Sequence, residues 1–125
     1  MSQKLPGKRI LIVEDNPILA YDISDLVGDI GAEAVGPALD LETGLRLLEE
    51  TTPDAALLDV DLGGEYVWPL AAELDRKAIP YAFVSAQCRS DLLPDSFKER
   101  RCIEKPALPE EIIETLMQFA GQPKA

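Results

Sequence analysis

Arg9–Pro17 reads RILIVEDNP: the apolar run Ile10–Val13, two carboxylates, then an Asn-Pro pair. An apolar run this short suits a strand buried on both faces. Asn16 has the side chain of a helix N-cap. Pro17 suits the first helical position, where no backbone N–H is required. Beyond it Leu19, Ile23, Leu26, Val27 and Ile30 recur on one helical face, and Gly31 ends the helix. The unit is a buried strand, a polar bend and an amphipathic helix.

The same alternation continues to the end of the chain. Ala32–Val35 reads as a weak second strand closed by Gly36-Pro37, and Asp40 caps a helix running to about Glu50 with Leu41, Leu45 and Leu48 inward. Pro53 breaks that helix, and Ala55–Leu58 (AALL) is a third buried strand. Gly63-Gly64 reads as a flexible loop, followed by a helix over Val67–Arg76 that tolerates Pro69 in its first turn. Pro80–Val84 (PYAFV) is a fourth strand, Arg101–Ile103 a short fifth, and Pro109–Ala120 a final helix. Residues 87–100 have no clear period, because Pro94 splits them. Five strands alternating with helices, the inner ones uniformly apolar, predict a parallel sheet covered on both faces.

Ligands of such sheets bind beyond the carboxyl ends of the strands. Strand one ends in Glu14-Asp15, strand three in Asp59, strand four in Ser85 and strand five in Lys105-Pro106. Three carboxylates drawn to one cleft repel one another. At about 5 Å and an effective dielectric of about 20, each pair costs on the order of 3 kcal/mol. A hard divalent cation relieves that cost, and an all-oxygen donor set suits Mg2+ or Mn2+. Asp59 is then a candidate nucleophile able to form an acyl phosphate. Lys105 would neutralise phosphoryl oxygens, and the Ser85 hydroxyl would donate to one of them.

These residues carry a resemblance. V-E-D-N (13–16), L-L-D (57–59), V-S-A (84–86) and E-K-P (104–106) closely resemble the response-regulator receiver family of two-component signalling, over the whole chain. The resemblance implies a doubly wound α/β fold of flavodoxin type with strand order 2-1-3-4-5. It implies Asp59 as phosphoacceptor, and Glu14, Asp15, Asp59 and the backbone carbonyl of Asp61 around Mg2+. It also implies Ser85 and Lys105 as the hydroxyl and ammonium groups, a cis bond before Pro106, and small Ala86 as room for the phosphoryl group. D-V-D-L-G-G-E (59–65) and P-Y-A-F-V-S-A (80–86) look more like a subgroup of single-domain regulators whose fourth strand more often reads P-F-x-F-A-T-G. The implied partners are a sensor histidine kinase or phosphotransfer protein upstream and an unknown protein downstream. Without an output domain, the chain would act by protein contact or as a phosphate sink, and would catalyse only its own phosphorylation and dephosphorylation. One position departs from the pattern: Cys102 stands where the family usually has the aromatic residue of its switch.

Each signal has a blander reading. An acidic pair after a strand is often a solvated loop, Asp59 alone could be a turn former, and Lys105 alone a surface lysine. Together they outweigh those readings. Gln87, two residues past Ser85, is a candidate for the route of hydrolytic water. Cys88 and Cys102 read as packing residues with free thiols, and Tyr66 and Trp68 as exposed-helix or rim residues. Arg89, Lys98, Arg100 and Arg101 form a candidate partner surface in an otherwise acidic chain.

Composition sets the outer bounds. The 125 residues, 46% hydrophobic and 28% charged, suit one globular domain over 1–125 with a core at about 8–121. A net charge of -11 argues against direct nucleic-acid binding. There is no His, which excludes Cys/His zinc sites and His-based triads. Neither a signal peptide nor a membrane span is legible, so a cytoplasmic protein is expected. Two rival functions remain. Asp59-Val60-Asp61 also fits the D-x-D of haloacid-dehalogenase-type phosphatases, but there the second acidic pair comes late in the chain, whereas Glu14-Asp15 comes first. A receiver-like binding module that is never phosphorylated would have to lack a site residue, and none is missing.

Overall fold

In the computed structural model, which describes residues 5–86, 88 and 93–120, the apolar runs become strands and the amphipathic stretches helices. The order is β1 (Arg9–Val13), α1 (Pro17–Asp29), β2 (Glu33–Ala38), α2 (Leu41–Thr51), β3 (Ala55–Leu58), α3 (Trp68–Arg76), β4 (Tyr81–Ser85), β5 (Cys102–Glu104) and α4 (Pro109–Ala120). A 3-10 turn at Asp95–Phe97 lies between β4 and β5. The five strands pair in parallel in the order β2-β1-β3-β4-β5. This is the doubly wound, flavodoxin-like arrangement, and the strand order reverses between β1 and β3, the point at whose carboxyl ends such sheets bind their ligands.

Side-chain alternation splits the core into two layers. Ile10, Ile12, Leu57 and Val84 pack with Ile23 and Val27 of α1 and with Ile112 and Leu116 of α4. Leu11, Val13, Leu58 and Phe83 pack on the other face with Leu41 and Leu48 of α2 and with Leu70 and Leu74 of α3. Burying each large aliphatic side chain contributes roughly 1.5–3 kcal/mol. The two layers hold β1, β3 and β4 rigidly from both sides, so the residues just past their ends have fixed starting points.

The helix starts follow from local chemistry. Asn16 Oδ1 accepts the backbone N–H groups of Ile18 and Leu19, at 3.0 and 3.3 Å. Asp40 Oδ1 accepts the N–H of Thr43 at 2.7 Å. These contacts satisfy donors that the first helical turn leaves free.

The second strand differs from expectation. It does not close at Gly36-Pro37 but runs through them to Ala38. Leu11 pairs with Val35 and Val13 with Ala38, so β2 carries one extra residue there, a bulge. Pro37 cannot donate to the ladder, which an edge strand tolerates. Gly36 has φ +95°, and a Cβ there would lie 2.6 Å from the backbone nitrogen of Ala38, so only glycine fits. The strand continues because Glu14 N–H donates to the carbonyl of Ala38 at 2.9 Å. That bond also fixes the backbone at the start of the acidic pair.

Candidate functional site

The carboxyl ends of β1, β3, β4 and β5 meet at one edge of the sheet. Asp59 follows β3 directly, and its N–H donates to the carbonyl of Val13 at 2.8 Å, beside the acidic pair. Across the crevice, the N–H of Lys105 donates to the carbonyl of Ser85 at 3.0 Å. Two backbone bonds thus register the strand ends in pairs, β1 with β3 and β4 with β5.

Carboxylate oxygens of Glu14, Asp15 and Asp59 lie within 4.8 Å of one another. The acidic pair divides its work. Glu14 is 2% exposed and Asp59 8%, whereas Asp15 is exposed to solvent. Glu14 Oε2 accepts the N–H of Asn16 at 3.1 Å. Glu14 Oε1 lies 2.8 Å from Lys105 Nζ, yet is buried without a geometrically sound hydrogen bond; the contact is an ion pair at a poor angle. Lys105 Nζ also donates to Asp59 Oδ2 at 3.2 Å. One ammonium therefore serves two buried carboxylates while a third stands at the rim.

The charge imbalance shows in the acid strengths. Burial first, and then the neighbouring Glu14 charge, push the Asp59 carboxyl up to about 7 against the pull of Lys105. Burial alone would lower the Lys105 pKa, but its contacts with Glu14 and Asp59 outweigh that and raise it. A strongly shifted carboxyl in a crevice, held by a charge partner, is a mark of a functional site.

These residues fit a hard divalent cation. The donor set is all oxygen, the carboxylates converge, and Glu14 Oε1 is a buried acceptor with lone pairs to spare. The Asp61 side chain does not join them: its Oδ1 accepts the N–H of Gly64 at 3.0 Å. Gly63 and Gly64, with φ +68° and +99°, make this a defined turn rather than a loose loop. A Cβ on Gly63 would sit 4.0 Å from Asp15 Oδ2, so the turn passes close to the acidic rim.

Ser85 is buried at the end of β4, and Ala86 after it is exposed. The Lys105-Pro106 bond is cis. Gln87 and Arg89 lie outside the described residues. Of the other basic residues, Lys98 pairs with Asp95 at 3.2 Å and Arg100 with Asp75 at 3.1 Å, while Arg101 is exposed.

One expectation is overturned here. Cys88 and Cys102 are not free thiols but form a disulfide, with Cα atoms 5.7 Å apart. The bond joins a residue just past β4 to the first residue of β5, a closure that the 14-residue separation does not reveal. One clue was present: Cys88 follows Ser85 by three residues, and Cys102 precedes Lys105 by three. Trp68, expected on an exposed helix or at a rim, is half-buried at the start of α3 and packs against the core layer of α2 and α3. It stacks on Phe97 with centroids 5.4 Å apart and meets Phe83 edge-on at 5.8 Å. Tyr66, 42% exposed, stacks on its other side at 5.9 Å.

Comparison with known proteins agrees with this geometry. No protein-family model matches the chain. It is 30% identical over 87 residues, 69% of its length, to the transcriptional regulatory protein PdtaR of Mycobacterium tuberculosis, and spans 42% of that protein. The solution structure of SdrG from Sphingomonas melonis Fr1 superposes with a TM-score of 0.77 at 29% identity, covering 96% of this chain and 98% of SdrG. The crystal structure of the response regulator PhyR from Brucella abortus gives 0.76 at 29% identity, covering 95% of this chain and 49% of PhyR. The chain thus spans less than half of the PdtaR sequence it matches. By fold, by relatives and by these strand-end residues, the chain belongs to the response-regulator receiver family of two-component signalling. Its relatives are signalling regulators rather than enzymes with a turnover substrate. Among the described residues, no helix is long and apolar enough to cross a membrane.

Proposed function

We propose that Asp59 is a phosphoacceptor, phosphorylated in a divalent-metal-dependent step by a sensor histidine kinase or phosphotransfer protein. The observation that carries this reading is the convergence of Glu14, Asp15 and Asp59 with Lys105 Nζ only 3.2 Å from Asp59 Oδ2. An Asp59 carboxylate oxygen attacks the phosphorus of the donor. The donor bond breaks, and its electron pair and a proton stay with the leaving group. Lys105 shifts from Asp59 to a phosphoryl oxygen, and the Ser85 hydroxyl donates to another. Glu14, Asp15 and Asp59, with the backbone carbonyl of Asp61, would hold Mg2+ or Mn2+, which supplies positive charge to the transferring oxygens. The raised pKa of Asp59 is the apo condition; a bound cation favours its ionised, nucleophilic form.

Exposed Ala86 leaves the approach open, and Pro106 shapes the chain at Lys105. The chain would act in the cytoplasm, by protein contact or by draining phosphoryl groups from its kinase. Nothing about the site favours a phosphatase of the D-x-D type, since the Asp61 side chain is committed to Gly64. The test is incubation with Mg2+ and acetyl phosphate, followed by intact-protein mass measurement, for the native chain and Asp59→Asn. Labelling of the native protein alone is expected. Labelling of both, or of neither, removes the proposal.

A further inference from the structure

We propose that Cys88 and Cys102 form a reversible thiol–disulfide site whose oxidation state sets how fast Asp59 is phosphorylated; this coupling rests on the phosphoacceptor reading above. The argument is positional. Cys88 lies three residues beyond Ser85 and Cys102 three before Lys105, the hydroxyl and the ammonium of the site. Ser85 and Lys105 are already joined by the backbone bond between them, at 3.0 Å. The disulfide closes a second link between the same two strand ends. Ser85 and Lys105 therefore sit inside a small ring, closed by a hydrogen bond at one end and a covalent bond at the other.

Phosphorylation engages both of these side chains. Lys105 Nζ rests 2.8 Å from Glu14 Oε1 and 3.2 Å from Asp59 Oδ2, so it must leave Asp59 to reach a phosphoryl oxygen. Ser85, 2% exposed, donates its hydroxyl to the same group in that reading. A cross-link between their strands resists that rearrangement. Cys102 is also packed against the core layer that holds Trp68, Phe83 and Phe97, so a thiol there would free a side chain at the edge of the aromatic cluster. Both cysteines are partly exposed, so a reductant can reach the bond.

The exchange balances with a dithiol as co-reactant. A thiolate of the dithiol attacks one sulfur and expels the other cysteine as thiolate, which takes up a proton. The second thiol of the dithiol then displaces the remaining cysteine. The dithiol leaves as its disulfide, having given two electrons and two protons to the protein. A disulfide acceptor reverses the reaction.

The full chain, equilibrated with reduced and oxidised dithiothreitol at varied ratio, is trapped by alkylation and weighed. Cys88 and Cys102 are expected to pass together between alkylated and protected forms. Each form is then treated with Mg2+ and acetyl phosphate, and the reduced form is expected to label at least threefold faster. The variants Cys88→Ser and Cys102→Ser should both label like the reduced form and ignore the oxidant, which separates cross-linking from mere packing at either position. Three results would overturn the inference: no protected pair at any ratio, a bond that the dithiol cannot open in the folded protein, or equal labelling of both forms. The last of these leaves the phosphoacceptor reading intact. Exchange with no labelling of either form sinks that reading and takes the coupling with it.

Discussion

The two ends of β4 each carry a cluster of carboxylate, cation and hydroxyl, and they treat charge in opposite ways. At the amino end, Asp75, Arg100 and Tyr81 are balanced. Arg100 donates to Asp75 Oδ1 at 3.1 Å and to the Tyr81 hydroxyl at 3.2 Å, and that hydroxyl donates to Asp75 Oδ2 at 3.1 Å. One anion meets one cation, and burial pushes the phenol up to about 12. At the carboxyl end, Glu14, Asp15 and Asp59 face the single ammonium of Lys105, and Glu14 Oε1 is left without a sound hydrogen bond. The first cluster holds α3, β4 and the approach to β5 together. The second is held in place by the sheet against its own repulsion, and that stored imbalance is what a cation and a phosphoryl group would relieve.

The largest test of this contrast is Asp59→Asn, which should abolish labelling by acetyl phosphate while the protein stays folded. Mass measurement and thermal melting on the same sample check both halves. Next, Lys105→Met removes the one cation that, among the described residues, pairs with the buried carboxylates. In metal-free buffer at pH 8 it should cost about 2 kcal/mol, less than a fully buried pair because Lys105 is partly solvated. Millimolar Mg2+ should recover most of that loss, and a melt insensitive to Mg2+ would count against the cation site.

The pH dependence of stability has a definite sign. Asp59 binds its proton more tightly in the folded state, with a pKa of about 7, than at its ordinary value of 3.8. Between those values the folded state holds more protons than the unfolded one, so stability falls as pH rises from about 4 to 7. Asp59→Asn should flatten that slope in metal-free denaturant titrations, and an unchanged slope would show that another group carries it. The smallest effect belongs to the balanced cluster. Arg100→Ala should cost about 1 kcal/mol, since the pair is partly exposed, and leave the labelling rate unchanged. A drop in labelling would mean that the two ends of β4 are coupled.

Much of the fold was legible because its determinants are local. The runs Ile10–Val13, Ala55–Leu58 and Tyr81–Val84 are short, apolar and bounded by turn residues, which is what a doubly covered strand requires. Asn16-Pro17 and Asp40 announce helix starts because capping acts within one turn. The β2 boundary was missed for a non-local reason. Gly36-Pro37 reads as a stop, and only pairing with β1 carries the strand past it as a bulge.

The candidate site divides in the same way. That Glu14, Asp15, Asp59, Ser85 and Lys105 share one edge follows from the parallel sheet, since each sits at or just past the end of a strand. Burial of Glu14 beside exposed Asp15, the 2.8 and 3.2 Å reach of Lys105, the committed side chain of Asp61 and the inward stack of Trp68 belong to the tertiary structure. So does the bond between Cys88 and Cys102, which joins residues 14 apart because β4 and β5 are neighbours in the sheet. Sequence determines what repeats within a few residues; which groups touch, and which carboxylate stays wet, is decided by packing distant parts of the chain into one crevice.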